Sequence, residues 1–219
     1  MTSRARSGQA PASSVDLLET LALREGRAQH LDLHLERLMR SARELSRPVD
    51  ARAIRREVLA LAGSLTSPTL LRIRVRSDGE ALLEPRPLIA TEGPVRLAID
   101  DPASGSVPID PSDPRVRHKT SDRAHLEAAR ARHRGADDVV LVNASGYVTE
   151  TTVANLLVLL DGAWVTPPLS DGLLAGVGRR LAIERHSILE RSLTVGELRR
   201  ADAIELVSSA RGRRPATLS

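Results

Sequence analysis

Arg117–His118–Lys119–Thr120–Ser121–Asp122–Arg123 holds the single lysine of this 219-residue chain. Lysine and arginine together number 32, so the other 31 basic residues are arginine. Wherever a generic cation suffices, this sequence uses a guanidinium. Arginine stays protonated in proteins, whereas an amine can lose its proton when it is desolvated or set beside other cations. A neutral amine can attack a carbonyl or act as a general base. Lys119 therefore reads either as a working amine or as one leftover surface cation, and the residues around it must decide.

Outward from this segment the chain divides. On its N-terminal side, 101–114 holds Pro102, Pro108, Pro111 and Pro114 with Gly105, a composition that reads as a linker. Before it, 15–24 reads as a buried strand closed by a turn at Glu25–Gly26. Leu31, Leu35, Leu38, Ala42 and Leu45 then recur at helical spacing. A second helix fits 51–62, ended by Gly63. Strands follow over 69–76, 81–88 and 95–99, the first two joined at Asp78–Gly79. In the first of them Leu71, Ile73 and Val75 share one face and Arg72, Arg74 and Arg76 the other.

On the C-terminal side the pattern predicts a helix over 121–133 and strands over 138–142, 147–150, 154–160 and 163–166. A helix over 177–186 and a strand over 188–191 come next. Thr194 with Glu197 forms a capping box for a short helix, and 203–207 reads as the closing strand. The sequence thus predicts an α+β fold of two small mixed domains, 14–100 and 115–219, meeting at a cleft. Residues 1–13 read as a disordered tail.

Composition excludes several chemistries. There is no cysteine, which removes disulfides, thiolate metal sites and cysteine nucleophiles. Aromatic residues make up 1% of the chain, too few for base-stacking platforms. The arginines alternate with acids and the net charge is only +4, so no nucleic-acid partner is expected. The six histidines show no ligand spacing, and no metal is expected. No apolar run approaches the ~18 residues of a membrane span, which points to a cytoplasmic protein away from membranes.

Three further features carry possible chemistry. Gly176–Val177–Gly178 opens a helix, where free backbone N–H groups and the helix dipole favour an anion. Glycine before a helix is, however, often only a turn. His34, Arg37 and Ser41 lie off the leucine stripe, and periodicity alone reads them as an outer polar face. Glu150 ends a strand, either exposed or holding a protonated ring nitrogen.

Taken in order, Leu18–Glu19–Thr20, His34–Leu35–Glu36–Arg37–Leu38 with Ser41–Ala42, and the lysine segment resemble a known family. So do Gly146–Tyr147–Val148–Thr149–Glu150 with Ala154–Asn155–Leu156, then Thr166–Pro167–Pro168 with Leu174–Ala175–Gly176–Val177, and Ser208–Ser209. The chain resembles the class IV, fold-type IV pyridoxal-phosphate enzymes: branched-chain and D-amino-acid aminotransferases and 4-amino-4-deoxychorismate lyase.

The resemblance implies pyridoxal 5'-phosphate bound to Lys119 as a Schiff base, with Lys119 also shuttling protons. It implies Glu150 at the pyridinium nitrogen. Arg37, the N–H groups of Val177 and Gly178, and the Ser209 hydroxyl would hold the phosphate. Arg72 and Thr20 would meet an amine substrate. It further implies a homodimer. The Arg117–Arg123 segment and the short chain look more like the lyase, with an aminotransferase of branched-chain or D-amino acids as the alternative and a non-catalytic degenerate member or arginine-rich binding module as the rival of another class. The usual N-terminal strands and the Tyr–Gly–Asp–Gly stretch before the Glu–Thr pair are missing. Ser77–Asp78–Gly79–Glu80 replaces the aromatic- and Gly-rich loop that often follows the Arg72 strand and helps shape the substrate pocket in the longer relatives.

Overall fold

The computed structural model describes residues 15–90 and 92–219, so the expected 1–13 tail lies outside the described residues. The chain begins with β1 (Leu17–Arg24), which turns back through Glu25 and Gly26, both at positive φ, into the two-residue β2 (Arg27–Ala28). α1 (Leu31–Glu44) follows, then α2 (Ala51–Ser64), β3 (Thr69–Val75) and β4 (Ala81–Pro87). Asp50 caps α2 by accepting hydrogen bonds from the Arg52 and Ala53 N–H groups. Gly63 does not end α2, which runs one residue past it.

These strands form an antiparallel sheet in the order β2-β1-β3-β4. The leucine stripe of α1 packs with Ile54 and Val58 of α2 on one sheet face, over Leu21, Leu71 and Ile73. Each of these three is fully buried, which contributes about 1.5–3 kcal/mol per side chain. The other face of the sheet presents Thr20, Leu70 and Arg72 to a cavity. Two-residue alternation along β1 and β3 thus builds a core on one side and a wall on the other.

The second half is built from β5 (Val95–Asp100), the single-turn α3 (Pro114–Arg117), α4 (Ala124–Arg132) and β6 (Asp138–Val142). It continues through β7 (Tyr147–Thr151), β8 (Asn155–Leu160), β9 (Ala163–Thr166) and α5 (Val177–His186). It ends with β10 (Leu189–Glu190), β11 (Leu193–Thr194), α6 (Val195–Arg199), β12 (Ala203–Ser208) and β13 (Gly212–Leu218). The nine strands run in the order β10-β9-β8-β12-β13-β5-β6-β7-β11. Thr194 and Glu197 make the expected capping box.

Three expectations change. β5, read with the first half, is hydrogen-bonded between β13 and β6. The crossing between sheets therefore falls before Val95, ahead of 101–114. Those residues also pack: Ile109 pairs with Asn143 and is buried with Val116, Ala129, Val139 and Leu141. The helix expected from 121 begins at Ala124. Finally, β12 is not the closing strand. β13 follows it, antiparallel to β12 and parallel to β5.

The lysine segment stitches the two halves. Leu18 N–H donates to the Lys119 carbonyl at 2.8 Å, and Ser121 N–H donates to the Asp16 carbonyl at 2.9 Å. Leu17 and Thr120 form an antiparallel bridge. Lys119 is thereby carried to the seam between the sheets.

Candidate active site

A cavity of about 320 Å³ opens at this seam. All eight residues proposed from the sequence line it: Thr20, Arg37, Arg72, Lys119, Glu150, Val177, Gly178 and Ser209. They come from seven separate stretches of chain.

Lys119 is held by its backbone against β1, and its side chain is half-buried in the cavity. Withdrawal from water, followed by the nearby Arg37 charge, pulls its amine down to about 8. Glu150 reaches the cavity through a break in strand register. Val140 pairs with Thr151 but Val142 pairs with Val148, so β7 carries one extra residue between them. Such a bulge re-aims side chains, and it turns Glu150 off the regular alternation. The Leu174 N–H donates to Oε1 at 3.0 Å and Asn155 Nδ2 donates to Oε2 at 3.0 Å. Burial nevertheless pushes the carboxyl up to about 8, outweighing the Leu174 hydrogen bond and the pull of Lys119, Arg37 and Arg123.

Asn155 joins this acid to the loop before α5, since its Nδ2 also donates to the Leu174 carbonyl at 3.0 Å. Gly176 precedes α5, and no side chain caps the helix. The first N–H groups of the helix are thus left for another acceptor. Gly178 packs directly on the Ser208–Ser209 backbone. A Cβ there would stand 2.5 Å from the Ser208 carbonyl carbon.

Arg37 is buried, which corrects the outer-face reading of its helix side: His34 and Ser41 are buried too. Arg37 donates from Nε to Glu19 Oε1 at 2.8 Å and from Nη2 to Glu19 Oε2 at 2.5 Å. Its Nη1 donates to the Ala175 carbonyl at 3.1 Å. Ser41 Oγ lies 3.0 Å from His118 Nδ1, tying α1 to the residue before the lysine. Thr20 and Arg72 are cross-strand partners on the cavity side of the smaller sheet.

Sequence reasoning gave no role to Glu19, Asn155, Thr120, Arg123 or His125. Arg123 lines the cavity and donates to the Thr152 carbonyl at 2.7 Å. Thr120 Oγ1 and His125 Nδ1 are buried without a hydrogen-bond partner among the described residues, beside the same cavity. Glu19 alone carried a signal: a carboxylate in an otherwise leucine-rich buried strand demands a cation.

These residues fit a phosphorylated pyridine aldehyde. An amine titrating near neutrality can take the carbonyl. A half-buried carboxyl that forms no salt bridge among the described residues suits a ring N–H. The uncapped helix start, too tight at Gly178 for any side chain, suits a phosphate. Among the described residues no cluster of three or more His, Cys, Asp or Glu could hold a metal, and no helix is long and apolar enough to cross a membrane.

The fold is α+β, with a candidate cofactor pocket at the junction of two sheets. The chain belongs to the aminotransferase class IV family, whose model matches residues 16–218. That family depends on pyridoxal phosphate. A Schizosaccharomyces pombe protein whose name proposes an aminodeoxychorismate lyase is 31% identical over 180 residues, 80% of this chain and 76% of its own. A Mesorhizobium loti protein proposed to be an amino-acid aminotransferase superposes with a TM-score of 0.84 at 28% identity, over 94% of this chain and 100% of its own. The PLP-bound form of a hypothetical aminotransferase from Mycobacterium tuberculosis gives a TM-score of 0.79 at 26% identity, over 93% of this chain and 81% of its own.

Proposed function

We propose that this enzyme is a lyase of the 4-amino-4-deoxychorismate type, releasing pyruvate and leaving 4-aminobenzoate. The observation that carries the reading is the meeting of Lys119, Glu150 and the start of α5 in a cavity that Arg72, Arg123 and Arg214 also line. The substrate of that reaction carries two carboxylates, and guanidinium groups bind carboxylates through paired hydrogen bonds. The name of the S. pombe relative supports the same reading.

When bound, the cofactor supplies an electron sink for the carbon next to the substrate nitrogen. Lys119 would hold the cofactor through its carbonyl, leaving its amine free once a substrate amine is bound there. The freed Lys119 Nζ, close to neutral pH in its proton affinity, takes the proton from that carbon. As the ring C–O bond breaks with its electron pair passing to oxygen, the ammonium so formed gives its proton to the departing enolpyruvate, whose enol then tautomerises to pyruvate. Glu150 keeps a proton on the ring nitrogen, and the charge it gains there offsets the burial that raised its proton affinity. Arg37, the Val177 and Gly178 N–H groups and the Ser209 hydroxyl grip the phosphate. Arg72, with Thr20 beside it, orients a substrate carboxylate.

The second reading, an aminotransferase acting on a branched-chain or D-amino acid, is favoured by likeness to the M. loti protein over the whole of that chain. Cofactor-loaded enzyme given aminodeoxychorismate should yield 4-aminobenzoate and pyruvate in equal amounts. Amino exchange between amino acids and 2-oxo acids without those products would replace the lyase by the aminotransferase. Neither activity from loaded protein would remove both. We also propose that the enzyme acts in the cytoplasm as a homodimer, the assembly that its family resemblance implies.

A further inference from the structure

Glu19 is 1% exposed, on the face of β1 that packs against α1 and α2. A carboxylate in such a core is costly unless its oxygens are filled. Here they are: Arg37 meets both in a fork, and His34 Nδ1 lies 2.7 Å from Oε2. A forked carboxylate–guanidinium pair fixes the plane of the guanidinium as well as its position. Three of the five guanidinium N–H groups are used, two by Glu19 and one by the Ala175 carbonyl. One N–H on each terminal nitrogen remains, and Arg37 lines the cavity beside Gly176, Val177 and Gly178.

We propose that Glu19 is the positioning residue for Arg37, holding the guanidinium in the plane that grips the cofactor phosphate and locking it to the loop that leads into α5. The proposal rests on the assignment of Arg37 to the phosphate. Stability alone does not account for the arrangement. Apolar residues of similar volume commonly stabilise a core at least as well as a buried ion pair, and His34 Nε2 is left buried without a partner among the described residues. What the trio does supply is order in advance. An arginine side chain has several free torsions, and restraining them before the ligand arrives removes an entropic cost from binding.

The test compares two ligands on apo-enzyme: pyridoxal 5'-phosphate, and pyridoxal, which lacks the phosphate. Visible absorbance gives a Kd for each, and their ratio reports the phosphate grip alone. Glu19→Gln keeps the volume and removes the charge. It should lower the preference for the phosphate ester by about ten- to a hundred-fold, the worth of one misdirected charge-assisted hydrogen bond, with the pyridoxal Kd almost unchanged. Equal loss for both ligands, or an unchanged ratio while Arg37→Ala collapses it, overturns the role of Glu19. An unchanged ratio in Arg37→Ala overturns the assignment of Arg37 itself, and the proposal with it. If Glu19→Gln does not fold, Glu19→Asp retracts the fork by one methylene and carries the same comparison.

Discussion

Replacing Gly178 with alanine sets two local effects against each other. Gly178 is the second residue of α5, and its φ lies outside the positive region that disfavours other residues. On helix propensity alone the change should stabilise the protein, by up to ~1 kcal/mol. Packing opposes it. The new Cβ would stand 2.5 Å from the Ser208 carbonyl carbon, 2.7 Å from Ser208 Cα and 2.7 Å from Ser209 N. All three are backbone atoms and cannot swing aside. Ordinary carbon contacts lie near 3.5 Å, so α5 and the 208–209 turn must part by about 1 Å. Overpacking of this kind costs about 1–3 kcal/mol. Packing wins, and apo-Gly178→Ala should lose about 1–2 kcal/mol, or roughly 2–8 °C in Tm for a chain of this size. The same parting pulls the helix start away from Ser209, so pyridoxal 5'-phosphate should bind at least ten-fold more weakly. Gly63→Ala in α2 is the control, because nothing lies within 4 Å of its Cβ position; it should hold or raise the Tm. A Gly178→Ala protein as stable as wild type, with undiminished cofactor affinity, would refute the packing argument and the helix-start cradle together.

Lys119→Ala should abolish the visible absorbance of loaded enzyme that borohydride bleaches, while leaving the apo-protein folded; a bleachable band surviving in the variant would remove Lys119 from the site. Glu150 makes the apo-protein sensitive to pH. Its folded carboxyl titrates near 8 against an ordinary 4.5, so between those values the folded state holds more protons than the unfolded. Its stabilising contribution is complete below about 4.5 and is lost as pH rises through about 8. Urea melts of wild type and Glu150→Gln should therefore diverge across that window, the variant showing the flatter profile; parallel profiles would contradict the buried setting of the acid. Sedimentation at micromolar concentration should give twice the mass of one chain, and a monomer with full activity would exclude the dimer.

Much of this was legible along the chain because it depends on neighbours a few residues apart. β6, β9 and α5 coincide with the expected segments, since alternation and helical spacing are written within ten residues. β13 was not legible. Arg213, Arg214 and Pro215 give no apolar alternation, and the strand exists because β12 and β5 flank it, with Arg213 lying 4.5 Å over the Trp164 ring. β5 could be seen as a strand but not placed, because only its partners decide which sheet it joins. The polar side of α1 misled for a similar reason. Periodicity marks His34, Arg37 and Ser41 as a face, but cannot say that Glu19 and His118 wait opposite them.

The amine, the acid and the glycine-led helix could be singled out as candidates from residue type, because their chemistry is intrinsic to short segments, but only the family resemblance assigned them roles. Their meeting could not. Lys119 reaches the cavity through hydrogen bonds to β1, Glu150 through one extra residue in β7, and Gly178 through contact with the turn after β12. Each of those placements is a long-range pairing whose energy comes from partners distant in sequence. Proton affinities near 8 for both Lys119 and Glu150 arise only once the surrounding chain has taken the water away.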